Sequence, residues 1–237
     1  MYALPRTRLL SHHPPWADLT ACLRKSEPAV TSPPTLTLFP SLESALVHSS
    51  PASPAPLSLP FPVARSTPTH PVTLHPGLSH FLLHAPPHHL LALGDNRFFQ
   101  SSSLAPPLPG LLPTPVPELE GLGPVACAAG GRHSAAVSGG GEAWVWGGGP
   151  GAKGRVEFEG EEGENVDVRG VSCGQDHTVV WTDKGVWASG GNTFGQLGLG
   201  DTAPREEFVR LAGLDGCGEV ERVVCTRWST FVQVRES

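Results

Sequence analysis

The chain has 237 residues, a formal net charge of −6, 28 glycines, 26 prolines and five cysteines. A length of this order holds one or two domains, and no apolar run approaches the ~18 residues of a membrane span. From residue 71 onward eleven Lys and Arg stand against nineteen Asp and Glu, which argues against the basic stripe that displaces counterions from a nucleic-acid backbone.

In chain order, residues 1–70 contain no glycine and are rich in Pro, Ser, Leu and Ala. Such a segment offsets little of its ordering entropy, and each proline removes a backbone donor, so it reads as a mostly disordered leader. "MYALPRTRLLSHH" carries Arg6 and Arg8 ahead of the first acid, Asp18, a pattern shared with transit peptides but weakened by Asp18, Glu27 and the prolines. The apolar stretch of a secretory signal is missing. Cys22, Cys127, Cys173, Cys217 and Cys225 form no CxxC pair, which points to buried thiols in the reducing cytosol or nucleus.

Residues 71–237 repeat themselves. "GLSHFLLHAPPHHLLALGDN" (77–96), "GGRHSAAVSGGGEAWVWGGG" (130–149) and "GQDHTVVWTDKGVWASGGN" (174–192) each place a glycine three residues before a histidine. An apolar run, a turn, a second run and a glycine tail follow. His80, His133 and His177 are the repeated histidines, and "VERVVCTRWSTFVQV" is a final half copy with Cys225 in the place of Cys173. Short β-branched and aromatic runs bounded by turn-formers are strands. Asp183-Lys184-Gly185 and Gly139-Gly140-Gly141 read as hairpin turns. A unit this small must stack on like neighbours, and all-strand repeats of about 50 residues imply a β-propeller. The units span about 72–110, 111–160, 161–208 and 209–237.

Between the units, "PPLPGLLPTPVP" (106–117) reads as an inter-blade connector and "EFEGEEGE" (157–164) as a solvated loop. "GGGPGAKG" (147–154) lacks the Gly-Lys-Ser/Thr order of a phosphate loop. His84, His88 and His89 of "HAPPHH" have no acid or thiol near in sequence, so they read as a solvent-exposed turn and no metal or cofactor is expected. No triad or carboxylate pair assembles by spacing, so no catalysis is expected.

"CGQDHTVVWTDKGVWASGGNTFGQLGLGD" resembles the repeats of the regulator of chromosome condensation family, which begin Cys-Gly-x-x-His-Thr and end Gly-x-Asn-x-x-Gly-Gln-Leu-Gly. The resemblance is dense over 166–205 and good over 124–150, where Trp146-Gly147 stands at the family's Trp-Gly position. It is weaker over 72–100, where Phe99 replaces the glycine before Gln100. Kelch repeats lack the His-Thr element. The resemblance implies an all-β propeller, incomplete at about three and a half recognisable blades. Residues 1–70 are then a leader or a degenerate blade, in a chain that has lost part of its N-terminal coding sequence or completes its ring by self-association.

Three functions follow from the resemblance. The first is a noncatalytic scaffold that binds a protein partner in the cytoplasm or nucleus. The second is guanine-nucleotide exchange on the nuclear small GTPase, with partner contacts at the turn holding Asp176 and His177, and at Arg132 and His133 (Ser79 and His80 in the worn copy). The third, from "MYAL" and "GDNRFFQ", is partnership with a small zinc protein in tRNA wobble modification and diphthamide synthesis. Against the contact role, a repeated His beside Ser or Thr is a turn-fixing hydrogen-bond donor.

Overall fold

A computed structural model describes residues 72–85, 89–102, 110–149, 154–158 and 166–235, together with three strands nearer the N-terminus. The chain divides into two compact units, Met1–Leu74 and His75–Ser237. Among the described residues no helix is long and apolar enough to cross a membrane.

In the first unit, β1 (Thr20–Leu23), β2 (Thr35–Phe39) and β3 (Leu57–Pro60) form an antiparallel sheet in that order. Thr20 faces Phe39 across the β1–β2 pair, and Thr35 faces Pro60 across β2–β3. These strands occupy 13 residues of the segment read as a mostly disordered leader or a degenerate blade. "TLTLF" alternates with period two, the pattern of a strand with one apolar face, inside a segment whose overall composition masks it. The rest of 1–70, including "MYAL", lies outside the described residues.

The second unit carries the repeats. The first sheet is β4 (Thr73–Pro76), β5 (His80–Ala85), β6 (His89–Gly94) and β7 (Gly110–Pro115). The second is β8 (Ala126–Ala129), β9 (His133–Val137), β10 (Ala143–Gly147) and β11 (Gly154–Val156). The third is β12 (Val168–Cys173), β13 (His177–Thr182), β14 (Val186–Gly190) and β15 (Arg205–Arg210). Each is a meander of four neighbouring strands, and β16 (Glu219–Cys225) pairs with β17 (Thr230–Arg235) as a two-stranded fourth. These are the three and a half blades expected.

Successive sheets stack. β8 lies against β5, β12 against β8 and β9, and β16 against β12 and β13. Each interface is a separate apolar core. Leu82, Leu90, Ala92 and Val116 meet Cys127, Ala136 and Trp146 at the first. Ala135, Val137 and Val145 meet Val168, Val171 and Val180 at the second. Val179, Val186 and Ala188 meet Val223 at the third. Burial in two adjacent interfaces makes β9 and β13 apolar on both faces, which is why "HSAAV" and "HTVVW" are runs rather than alternations.

Several boundaries shift. Within the proline-rich stretch, Gly110–Pro115 is not a connector but the edge strand of the first sheet, and 106–109 lie outside the described residues. Proline is tolerated there because an edge strand leaves N–H positions without a ladder partner. The first blade therefore runs to Pro115, and Val209 and Arg210 belong to the third blade, with the fourth starting near Glu219. The connectors proper are the 3₁₀ turns Pro117–Leu119 and Ala212–Leu214, each preceded by a buried apolar residue, Val116 or Leu211. In the acid run, Phe158 is buried and packs on Trp187 and Phe208, with ring centroids 5.4 and 5.3 Å apart, while 159–165 lie outside the described residues. Residues 150–153 of the glycine-rich stretch and His88 do so too. Cys127 is buried and Cys173 and Cys225 are half-buried, but Cys217 is exposed, against the expectation of buried thiols.

Candidate functional site

The strand register fixes which loops share an end of each sheet. His80 lies opposite Gly94, His133 opposite Gly147 and His177 opposite Gly190. The turn before each repeated histidine and the loop leaving the following strand therefore emerge side by side. Backbone bonds link the turns of successive blades: Leu78 N–H donates to Gly130 O (3.0 Å), Gly131 to Gln175 O (2.9 Å) and Gln175 to Arg227 O (3.3 Å).

The histidines lie beneath this end. His80 Nε2 is 2.8 Å from Ser134 Oγ, His133 Nε2 2.9 Å from Thr178 Oγ1, and His177 Nε2 3.0 Å from Thr230 Oγ1. Each partner belongs to the next blade. Ser134 and Thr230 spend their own protons on the carbonyls of Gln100 and Gln196, both at 2.7 Å, so His80 and His177 donate from Nε2. Each chain of bonds ties one blade's His to the next blade's hydroxyl and back to the first blade's loop. The glycine three residues earlier is dictated by this packing, because a Cβ on Gly77, Gly130 or Gly174 would run into the ring of His80, His133 or His177. Burial pushes His80 down to about 3 and His133 and His177 down to about 4, so all three are neutral at pH 7. Of the two readings of His133 and His177, partner contact and turn-fixing hydrogen bond, their burial and bonding favour the second. Both are buried blade-to-blade ties.

Arg132 and Asp176 do stand in the surface turns. Arg132 is exposed and its guanidinium sits 5.0 Å from the Phe98 ring centroid. Asp176 is half-buried, and its carbonyl accepts from Gly191 N–H at 2.7 Å. Trp228 occupies the corresponding turn of the last blade. Arg227 lies 4.7 Å over its ring and donates to Gln175 Oε1, and Phe194 packs on it at 5.3 Å.

The loops that carry the aromatics are built by their polar residues. Asn192 Oδ1 accepts from Leu197 N–H, and Gln196 Oε1 from Phe194 N–H, both at 2.9 Å. Asn96 and Gln100 repeat this in the first blade, accepting from Ser101 and Phe98 N–H at 2.9 and 2.8 Å. With both amides buried, the residue between them is turned outward. Phe98 is 39% exposed and Phe194 64%, and Trp228, in the turn between β16 and β17, is 47% exposed. The sequence reading missed these aromatics. For Phe98 and Phe194 the available signal was a large apolar residue two positions before the loop glutamine, where the loop has no core to offer it. Solvent-facing aromatics flanked by guanidinium groups suit flat packing and cation–π contact with a protein surface.

Away from this end, His75, His84 and Cys127 bring potential metal-ligand atoms within 4.8 Å of one another.

No family model matches the chain. It is 38% identical over 96 residues to the human X-linked retinitis pigmentosa GTPase regulator, covering 36% of this chain and 9% of that protein. Against the same regulator of Mus musculus it is 36% identical over 99 residues, 37% of this chain and 10% of that one. Against the human probable E3 ubiquitin-protein ligase HERC6 it is 33% identical over 136 residues, 52% of this chain and 13% of the ligase. The chain thus spans about a tenth of the length of these relatives. Among solved structures it is similar to human WBSCR16, with a TM-score of 0.66 and 17% identity over 92% of this chain and 56% of that one. It is similar also to Prp20p of Saccharomyces cerevisiae, with a TM-score of 0.63 and 15% identity over 93% and 55%. That structure is described with binding properties to Gsp1p and histones. At these identities the likeness shows the fold.

Proposed function

We propose that this chain, a partial or divergent member of the regulator of chromosome condensation repeat family, is a noncatalytic scaffold that binds a protein partner with the strand-end face described above. The observation that carries this reading is the outward cluster Phe194–Trp228–Arg227 at the third blade interface, echoed by Phe98–Arg132 at the first. Buried amides hold the loops of Phe98 and Phe194, and these rings and that of Trp228 stand exposed to solvent. Trp and Arg are the residue types that dominate binding energy at protein interfaces.

A small GTPase is the partner class favoured by two observations. One set of relatives is named as a GTPase regulator, and the structurally similar Prp20p binds Gsp1p. On that reading Asp176, at the edge of the aromatic cluster, is the acidic contact. Partnership with a small zinc protein rests on "MYAL", which lies outside the described residues, and on "GDNRFFQ", which forms the Asn96–Gln100 loop.

The test compares the full chain, tagged and isolated from its own cells through a moderate-salt wash, with a Phe194→Ala/Trp228→Ala double variant. A stoichiometric partner is expected with the unaltered chain. Its affinity for the double variant should fall at least about tenfold, roughly 1.4 kcal/mol, with circular dichroism unchanged. Equal retention by both would overturn the reading. Where the partner is a small GTPase, release of a fluorescent nucleotide separates the two classes. Acceleration that Asp176→Ala abolishes means exchange, and no acceleration means a scaffold.

A further inference from the structure

We propose that His75, His84 and Cys127 form a binding site for a zinc-class cation between the first and second blades. His75 lies on β4, His84 at the far end of β5 from His80, and Cys127 on β8 of the next sheet. One ligand atom from each falls within 4.8 Å of the others. Zn–N bonds of 2.0–2.1 Å and Zn–S bonds of about 2.3 Å place tetrahedral ligands about 3.5 Å apart, so modest side-chain rotation closes the set.

The repeats supply their own control. The N–H of Gly77, Gly130, Gly174 and Thr226 each donates to the carbonyl three residues on, which aligns the blades residue by residue. Counting from that bond, the counterparts of His75, His84 and Cys127 at the next interface are Ala128, Val137 and Val171. All three belong to one hydrocarbon core, Val137 and Val171 buried and Ala128 partly so. At the interface after that, Val223 stands in the place of Cys127 and Trp181 in the place of His84, both within the apolar core, while Ser172 in the place of His75 accepts from Cys225 N–H at 2.9 Å. A site that the fold fills with hydrocarbon at the second interface, and with two apolar residues and one serine at the third, is filled here by two imidazoles and a thiol. Burying such groups costs desolvation that a valine avoids, and a soft or borderline cation offsets it.

The ligand chemistry fits. Imidazole and thiolate together favour Zn2+ over the hard cations, which take oxygen. His84 Nε2 is 2.7 Å from the Pro124 carbonyl. A carbonyl only accepts, so Nε2 carries the proton and the lone pair is on Nδ1. A ligating histidine whose second nitrogen donates to a backbone carbonyl is the usual arrangement at metal sites. Binding forms the metal–sulfur bond and releases the thiol proton to solvent. Among the described residues three ligands are present, which leaves a fourth position for water or a small anion.

The experiment titrates the full-length, metal-free, reduced chain with Co2+ alone. One equivalent is expected to bind with a thiolate-to-cobalt charge-transfer band, displaced by Zn2+. Cys127→Val and His84→Val install the residue types of the neighbouring interfaces and should each abolish the band while the chain stays folded. Cys173→Ser should retain it. Absence of the band from the unaltered chain, or its survival in Cys127→Val, would overturn the proposal. Should either valine variant fail to fold, the other decides, together with the Cys173→Ser control.

Discussion

At the scale of the residue, Phe99 is the clearest fault in the repeat. It has a φ of 60°, the sole positive value outside glycine among the described residues, and it stands where the third blade has Gly195 with a φ of 74°. The loop dictates this backbone, because Asn and Gln fold their amides onto it in both blades. A side chain there costs roughly 1–2 kcal/mol. Phe99 is 44% exposed, so its ring returns little of that by packing. Phe99→Gly is therefore expected to stabilise the chain by about 1 kcal/mol, less whatever the freer unfolded chain takes back, read as a rise in urea midpoint at constant slope. The opposite sign is expected of the histidine ties. Thr178→Val keeps shape but leaves His133 Nε2 buried without its hydroxyl, at a cost of about 1–3 kcal/mol. A midpoint unchanged by Thr178→Val would mean that the bond contributes nothing net.

At the scale of the element, the three ties act together through pH. His80, His133 and His177 titrate below their ordinary value because each is buried. His133 lowers His80 while Asp95 raises it, and His177 and Arg132 lower His133. Asp176 raises His177. In the unfolded chain each titrates near 6.5, so as pH falls the unfolded state takes up protons first. Stability from these groups is complete above about 6.5 and is lost toward about 4. The slope approaches 1.4 kcal/mol per pH unit for each group. Unfolding free energies from urea titrations at pH 7 and pH 5 should differ by several kcal/mol, and His133→Gln should flatten the dependence. This element was half legible from sequence. The Gly-x-x-His-Ser/Thr spacing gave the strand and its turn, and one of its two readings was a hydrogen-bond donor. That the partner hydroxyl belongs to the next blade was not legible, since 45 to 54 residues separate the bonded pairs and spacing along the chain says nothing about which copies touch.

At the scale of the whole molecule, legibility followed periodicity. Where glycine, histidine and apolar runs recur, from 72 onward, sheets and order emerge from the pattern. Where proline dominates composition, the strands β2 and β7 were hidden, although "TLTLF" alternates and an edge position accommodates the prolines of "LLPTP". The aromatic face escaped because a lone Phe or Trp in a loop carries no period at all. The same stacked architecture sets a gradient of local stability. In a repeat array each unit is held by its neighbours, so a strand with a blade on both sides opens less often than one with a single neighbour. All but one residue of β13 is buried, whereas no residue of β17 is, and its residues alternate between half-buried and exposed, with Phe231 at 62%. Native-state hydrogen exchange should thus show the slowest amides in β9 and β13 and the fastest strand amides in β16 and β17. Addition of a binding partner to the Phe194–Trp228 face should slow the Arg227–Trp228 turn and β17 selectively, because that turn joins β16 to β17. Uniform protection of all strands in the free chain would instead mean that the last two strands are covered by something the single chain does not show, and would direct attention to self-association.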